Sequence, residues 1–570
     1  IVYAVSTDET GNTTSSVSNY LEDAYSNWDN PPEIVGLIGD VGGSYNIATY
    51  TIEGGPGDNE YAYIVGNDFL PEIFIGRISA NSSSDLSNII NKTLVYEEGT
   101  AQSNSWFERA ALVGDPQSSG LSTITTGQYM ENLFENHGMT DVRTNYNEGG
   151  YNNWVDNQFD DGLLYYSYRG YYGSSSINPS SSWNSGPETP FALTVTCGTG
   201  DFNGTSESED FVRVGSVSGP KGAVACVGVA TTSTHTAYNN IVSMGIMAGP
   251  FSFGMYHAGA ATAFGKLSLL MTYPTNPYNC VKKFSQWTNL IGDPALHLWT
   301  DTPKDFDPEY NTDVPDGINY LEILVKDSEG NIVPDAKVTV RSNNTFESVY
   351  TNDSGEATLV WQNNASGALK LSIHKNNFRL YEGIVNVGSI QGAAIYIDQT
   401  RSSVEDNQNG QLNPGETVEF NLSLINLGLE DALNLSIDIS SSSDKIYFSD
   451  DSAFISEISA NSSANINFTL SLSDDACESE ELGLKVNITD DDNSWTHNIP
   501  LHVYGPKLEM TYYNSNGILL EKEVQTAVDI YMVNSGSVDL SNINIEVLDN
   551  ANMSFENNYF TIPQINENSD

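Results

Sequence analysis

Basic residues are scarce in this chain. Lysine and arginine number 22 against 74 aspartates and glutamates, a formal net charge of −52 over 570 residues. Such a surface repels polyphosphates and anionic headgroups, so nucleic acid and an acidic membrane face are excluded as expected partners. The charge suits solubility in salty surroundings, or calcium binding. Cysteine is also sparse: Cys197, Cys226, Cys280 and Cys477 fall at no paired spacing, and neither a disulfide framework nor a zinc site is expected. Cys226, inside GAVACVGVA, reads as a small buried hydrophobe. No uninterrupted apolar run reaches the ~18 residues of a membrane span. The apolar stretch 244–271 is interrupted by His257 and Lys266 and reads as a buried helix. An initiator methionine and a signal peptide are missing as well. The opening IVYAVS reads as a strand, which predicts a leader and a first strand upstream of Ile1.

What is present divides the chain in two. Up to residue 302, short β-branched runs at 34–38, 73–75, 110–113, 163–168, 191–196 and 222–229 alternate with helical spacings such as 85–97 and 122–136. Strands alternating with helices predict a mostly parallel sheet covered on both faces, with sites at the strands' carboxyl ends. Residues 303–317 carry three prolines and five acids and read as a linker. Beyond them, alternating strands such as YLEILVKD and ANINFTLSLS are punctuated by turns every ~8–12 residues, which predicts β-sandwiches. A repeat supports this. Residues 418–437 parallel 526–545, with Asn426, Gly428 and Asn434 aligned to Asn534, Gly536 and Asn542. Their separation is roughly that of one immunoglobulin-like domain of ~100 residues. A third module would begin near 506, and its completion is expected beyond Asp570.

Two strand ends carry chemistry. LLYYSYRGYYG ends an apolar run in Arg169, and FALTVTCGTGDF ends another in Cys197. Gly198 and Gly200 free the backbone there to turn N–H groups into a cleft. Cys197 reads as a nucleophile or as a space-filling strand end. A nucleophilic thiol needs a base or a thiolate-stabilising cation. Of seven histidines, His235 in TTSTHTAYNN is the one predicted at the same carboxyl edge, as catalytic partner or as helix-start residue. Arg169 either holds the thiolate or pairs with Asp201. Asp58, Glu60, Asp68 and Glu72 either bind calcium or pair with Arg77, and Arg77 with Glu97 reads as a structural ion pair. The tyrosines 165, 166, 168, 171 and 172 also allow a carbohydrate-binding reading on composition alone. EDNQNGQLNPGE (405–416) spaces Glu405, Asn407, Asn409 and Glu416 like a calcium loop with Glu in first place. No flanking helices are expected, so the choice is a calcium-stapled turn or a plain polar one.

Four stretches, PPEIVGLIGDV (31–41), DNEYAYIVGNDFLPEIFIGRISA (58–80) running to NKTLVYE (91–97), TVTCGTGDF (194–202) and NLIGDPALHLWTDTP (289–303), together resemble the gingipain-type cysteine peptidases, family C25, whose domain is caspase-like. The resemblance covers about residues 1–302. It implies a secreted endopeptidase with Cys197 as nucleophile, an upstream propeptide, immunoglobulin-like modules after the catalytic domain and a type IX sorting domain. One departure stands out. The family's histidine lies in a Gly-His-Gly turn, where this chain has YSYRGYYG, with Tyr171 roughly in the histidine's place. A phenol with a pKa of ~10 stays protonated near neutrality and is a poor base. Either His235 substitutes across the cleft, or the domain is an inactive, adhesive surface scaffold.

The expectation is therefore a multidomain extracellular or cell-surface protein. Residues 1–302 form an α/β caspase-like peptidase domain, 303–398 and 399–505 immunoglobulin-like sandwiches, and 506–570 part of a third. Cys197 attacks, His235 serves as base, Arg169 stabilises the thiolate, and Gly198 with Gly173 shapes the oxyanion site. Protein or peptide is the substrate, other surface proteins are further partners, calcium is the one metal, and no organic cofactor is expected.

Overall fold

The β-branched runs of the first half become one sheet. The computed structural model describes residues 2–66, 68–147, 149–174, 177–361, 366–398, 403–405, 411–478, 482–514, 524–548 and 554–566. The chain divides into two compact units, residues 1–305 with 375–380, and 306–374 with 381–570. In the first unit, eight strands are β1 (Ile34–Ile38), β2 (Phe74–Ile78), β3 (Arg109–Gly114), β4 (Asp141–Asn145), β5 (Tyr165–Arg169), β6 (Phe191–Thr194), β7 (Ala225–Val229) and β8 (Thr288–Ile291). Their spatial order is β1-β2-β8-β7-β6-β5-β3-β4. Pairing is parallel within β1-β2-β8 and within β7-β6-β5-β3-β4. The two blocks meet at one antiparallel pair, β7 with β8, where Cys226 faces Ile291.

Helices cover both faces: α1 (Thr14–Asn27), α2 (Ser83–Glu98), α3 (Ser122–Asn136), α4 (Asn152–Asp160), α5 (Glu207–Arg213), α6 (Thr236–Ser252), α7 (Ala258–Thr272) and α8 (Cys280–Trp287). Strand alternation sorts neighbours to opposite cores. Ala110 and Leu112 pack with Phe134 and Ile246, whereas Ala111 and Val113 pack with Phe159 and Phe211. Covered on both sides, β5, β6 and β7 are buried at every position, the pattern of strands inside a parallel sheet.

Several expectations are corrected. Residues 2–6 join no strand; Tyr3 instead packs its ring against Trp28 at the end of α1, the centroids 4.7 Å apart. The apolar stretch 244–271 is two helices, α6 and α7, with a break at 253–257. Pro250 has no N–H to give to the last turn of α6, and Gly254 takes a left-handed φ of 68°. Arg77 pairs with Asp58 and not with Glu97: Nε lies 2.7 Å from Oδ2 and Nη2 2.7 Å from Oδ1. Glu97, on the last turn of α2, accepts the His297 N–H at 3.0 Å, and burial raises its carboxyl to about 7. Tyr165, Tyr166 and Tyr168 are buried in the cores, which removes them from any sugar-binding surface.

In the second unit the described elements are strands. The sheet Ile395–Ile397, Thr417–Asn426, Ser463–Leu472, Ile446–Phe448 shares one core with Ser452–Ile458, Ala432–Ser440, Leu482–Thr489, Ser494–Leu501. The sequence repeat is a hydrogen-bonding device. Asn426 Oδ1 accepts the N–H groups of Ala394 and Gly428 at 3.1 and 3.0 Å, and its amide donates to Glu430 and Ile458 carbonyls. Asn534 does the same with Lys507, Gly536, Val538 and Ile565. Asn434 and Asn542 share a left-handed φ, 57° and 54°. Of the calcium loop, 406–410 lie outside the described residues, Asn407 and Asn409 among them. Glu416 accepts the Asn413 N–H at 3.0 Å. Among the described residues no helix is long and apolar enough to cross a membrane.

Lys92 on α2 is buried and ties that helix to the carbonyls of Val212 and Lys221. Burial lowers its ammonium to about 7 from an ordinary 10.5. Between those values the unfolded chain binds the extra proton, so stability rises as pH climbs from about 7 towards 10.5. Lys266, lowered to about 7 by burial, acts in the same sense. Melting temperature against pH is expected to climb less steeply over this range in Lys92→Met than in the parent; equal slopes would contradict the assignment.

Candidate active site

Three adjacent parallel strands, β5, β6 and β7, deliver their carboxyl ends to one edge. Cys197 follows β6 and is partly exposed. Its turn is pinned on both sides. Gly173 donates its N–H to the Cys197 carbonyl at 3.0 Å, and Thr196 Oγ1 donates to Gly170 O at 3.2 Å. On the β7 side, Gly198 and Gly200 donate to the carbonyls of Thr231 and Val229, each at 3.0 Å. Gly198 and Gly173 take φ of 79° and 52°, where a side chain is strained. Both glycines therefore shape the turn. Their N–H groups are already bonded to carbonyls, and neither is open to an oxyanion.

Arg169, at the end of β5, is 1% exposed. Its Nε and Nη2 both reach Asn240 Oδ1, at 2.9 and 2.7 Å, Nη1 donates to Val195 O, and Nη2 lies 3.4 Å from Thr236 O. Among the described residues no carboxylate pairs with it. Asp201 is exposed and takes part in a local turn, so the Arg169–Asp201 pairing is not formed. Burial draws the guanidinium down to about 10, with Cys197 and Tyr168 acting in the opposite sense. It remains charged at neutral pH, solvated by neutral dipoles.

The side-chain partner of Cys197 is Thr234: Sγ and Oγ1 lie 2.9 Å apart. Thr234 in turn accepts from Asn239 Nδ2 at 3.0 Å. His235 is exposed and caps α6, its Nδ1 accepting the Ala237 N–H at 3.2 Å, and it makes no hydrogen bond to the sulfur. An accepting Nδ1 leaves the ring proton on Nε2. Tyr171 and Tyr172 are exposed beside the thiol, with Tyr172 in backbone register with Cys197. Sequence reasoning missed Thr234, Asn239 and Asn240. Their signal was present in THTAYNN, whose hydroxyls and amides open a helix at the edge holding the cysteine. Among the described residues no group of three or more His, Cys, Asp and Glu could hold a metal ion.

Comparison with known proteins gives one coherent answer. The family profile of peptidase family C25 matches residues 2–299. Gingipain R2 of Porphyromonas gingivalis is 26% identical over 232 residues, 38% of this chain and 31% of that protein. Lys-gingipain of the same organism is 32% identical over 149 residues, 24% of this chain and 8% of its own length. The chain thus spans a third or less of these relatives. The crystal structure of gingipain R, described as an Arg specific cysteine proteinase, superposes with a TM-score of 0.59 at 20% identity, covering 67% of this chain and 90% of that one. This likeness speaks to the fold alone, and the caspase-like α/β reading of the first unit rests on it.

The close approach of the turn after β6 to β7 behind the thiol is testable. A Cβ on Gly200 would lie 2.6 Å from the Gly228 carbonyl carbon. Gly200→Ala is expected to lose about 1–3 kcal/mol of stability in denaturant unfolding; an unchanged midpoint would contradict the tight contact.

Proposed function

The chain belongs to peptidase family C25, and we propose that it is an extracellular or cell-surface cysteine endopeptidase with Cys197 as nucleophile. The observation that carries the reading is a partly exposed thiol at the end of one strand with the buried guanidinium of Arg169, free of any carboxylate among the described residues, at the end of the adjacent parallel strand. A thiolate is the nucleophilic form, and a neighbouring cation favours it. Sγ attacks the peptide carbonyl, and the tetrahedral intermediate collapses to a thioester with departure of the amine. His235 is the proposed donor to that amine, giving up a proton from its imidazolium form, and the neutral ring left behind is the base for the water that then displaces the Cys197 thiolate from the thioester. Gly198 and Gly173 hold the turn that presents the thiol. The modules of the second unit are proposed as immunoglobulin-like spacers, and residues 405–416 as a calcium-stapled turn.

Cleavage of an unfolded protein substrate tests the reading. Cys197→Ala is expected to abolish it, Arg169→Met to lower the rate about 100-fold or more, and a thiol-directed peptidase inhibitor to label Cys197. Absence of cleavage together with absence of labelling would contradict the enzyme reading and leave the inactive, adhesive scaffold.

A further inference from the structure

Two consecutive amides near the start of α6, Asn239 and Asn240, are 3% and 6% exposed. Asn240 Oδ1 takes two hydrogen bonds from Arg169, at 2.9 and 2.7 Å. Asn239 Nδ2 donates to Thr234 Oγ1 at 3.0 Å, and that hydroxyl lies 2.9 Å from Cys197 Sγ. The remaining oxygen of Asn239 is buried and has no hydrogen-bond partner. Leaving it so is costly, by ~1–3 kcal/mol, which marks the residue as held for its amide's other end.

We infer that the pair Asn239–Asn240 positions the two groups that stabilise the Cys197 thiolate, Asn240 aiming the Arg169 guanidinium and Asn239 turning the Thr234 hydroxyl proton onto the sulfur. The inference rests on the peptidase reading above and adds to it a catalytic residue, Thr234, and two positioning residues. A hydroxyl has one proton and two lone pairs. Asn239 donates into one lone pair, so the Thr234 proton is free to be given, and once the thiol is ionised Sγ can only accept it. Adjacent positions on a helix point in different directions. One turn can therefore serve both the strand-end arginine and the loop threonine.

Amides are required at both places. An aspartate at 240 would neutralise Arg169 and cancel its field at the sulfur. An aspartate at 239 would accept the Thr234 proton and withdraw it from the sulfur. The neutral carbonyl of Asn240 holds the cation in place without discharging it. This distinguishes the arrangement from an ordinary buried ion pair, in which arginine meets carboxylate.

The test is alkylation of Cys197 by iodoacetamide in the full chain, followed by peptide mass because Cys280 and Cys477 are also partly exposed. Near pH 6.5, Asn240→Asp, Asn239→Asp and Thr234→Val are expected to react about tenfold more slowly than the parent. Near pH 10 all should match the parent within about twofold, because the thiol is then ionised without help. Thr234→Ser, which keeps the hydroxyl, should behave as the parent. Circular dichroism confirms that each variant is folded. Folded variants that alkylate like the parent at both pH values, or that slow equally at both, would overturn the inference while leaving the peptidase reading intact. A parent chain no faster near pH 6.5 than a free small-molecule thiol would overturn both.

Discussion

A guanidinium buried with no carboxylate partner among the described residues is the constraint on which the site depends. Placing a cation in a protein interior is costly unless its donors are met. Arg169 meets that requirement with an amide oxygen and the carbonyls of Val195 and Thr236. Each supplies a dipole and none supplies a charge, so the positive field survives. In the proposed reading that field acts at the neighbouring strand end, where Cys197 sits. Had β5 ended beside an acid, the same arginine would be a structural ion pair of the Arg77–Asp58 kind. The first unit thus contains both uses of a buried arginine, and the partner's charge decides which is which.

The strand ends themselves follow from the sheet. β5, β6 and β7 are buried throughout, so their side chains have no freedom to slide, and register fixes where Arg169 and the turn of Cys197 emerge. Glycines at 170, 173, 198 and 200 then let the loops fold back on one another, and the Gly200–Gly228 approach leaves no room for a side chain.

Much of this was legible. β-branched runs gave strands within a few residues of their observed bounds, because a doubly covered sheet selects such runs at almost every position. Cys197 and Arg169 were legible as polar residues closing apolar strands, and His235 as the opening of a helix. The antiparallel join of β7 to β8 was not, since the run around Leu290 and Ile291 carries no mark of strand direction. Nor was the split of 244–271, where Pro250 and Gly254 outweighed continuous apolarity. Arg77 and Glu97 lie on a strand and a helix whose separation only the folded chain reveals. Thr234, Asn239 and Asn240 escaped because amides and hydroxyls at a helix start read first as capping residues. In the second unit the aligned Asn426 and Asn534 were legible as a repeat, but their role in bonding two N–H groups and two carbonyls was not.

The central claim is that Arg169 directs its charge to the sulfur of Cys197. Ultraviolet difference spectra, each taken against the same chain carrying Cys197→Ser, measure the thiolate directly. At near-neutral pH the account predicts a thiolate band in the parent that is lost when Arg169 is replaced by methionine. Bands of equal size with and without the guanidinium would contradict it.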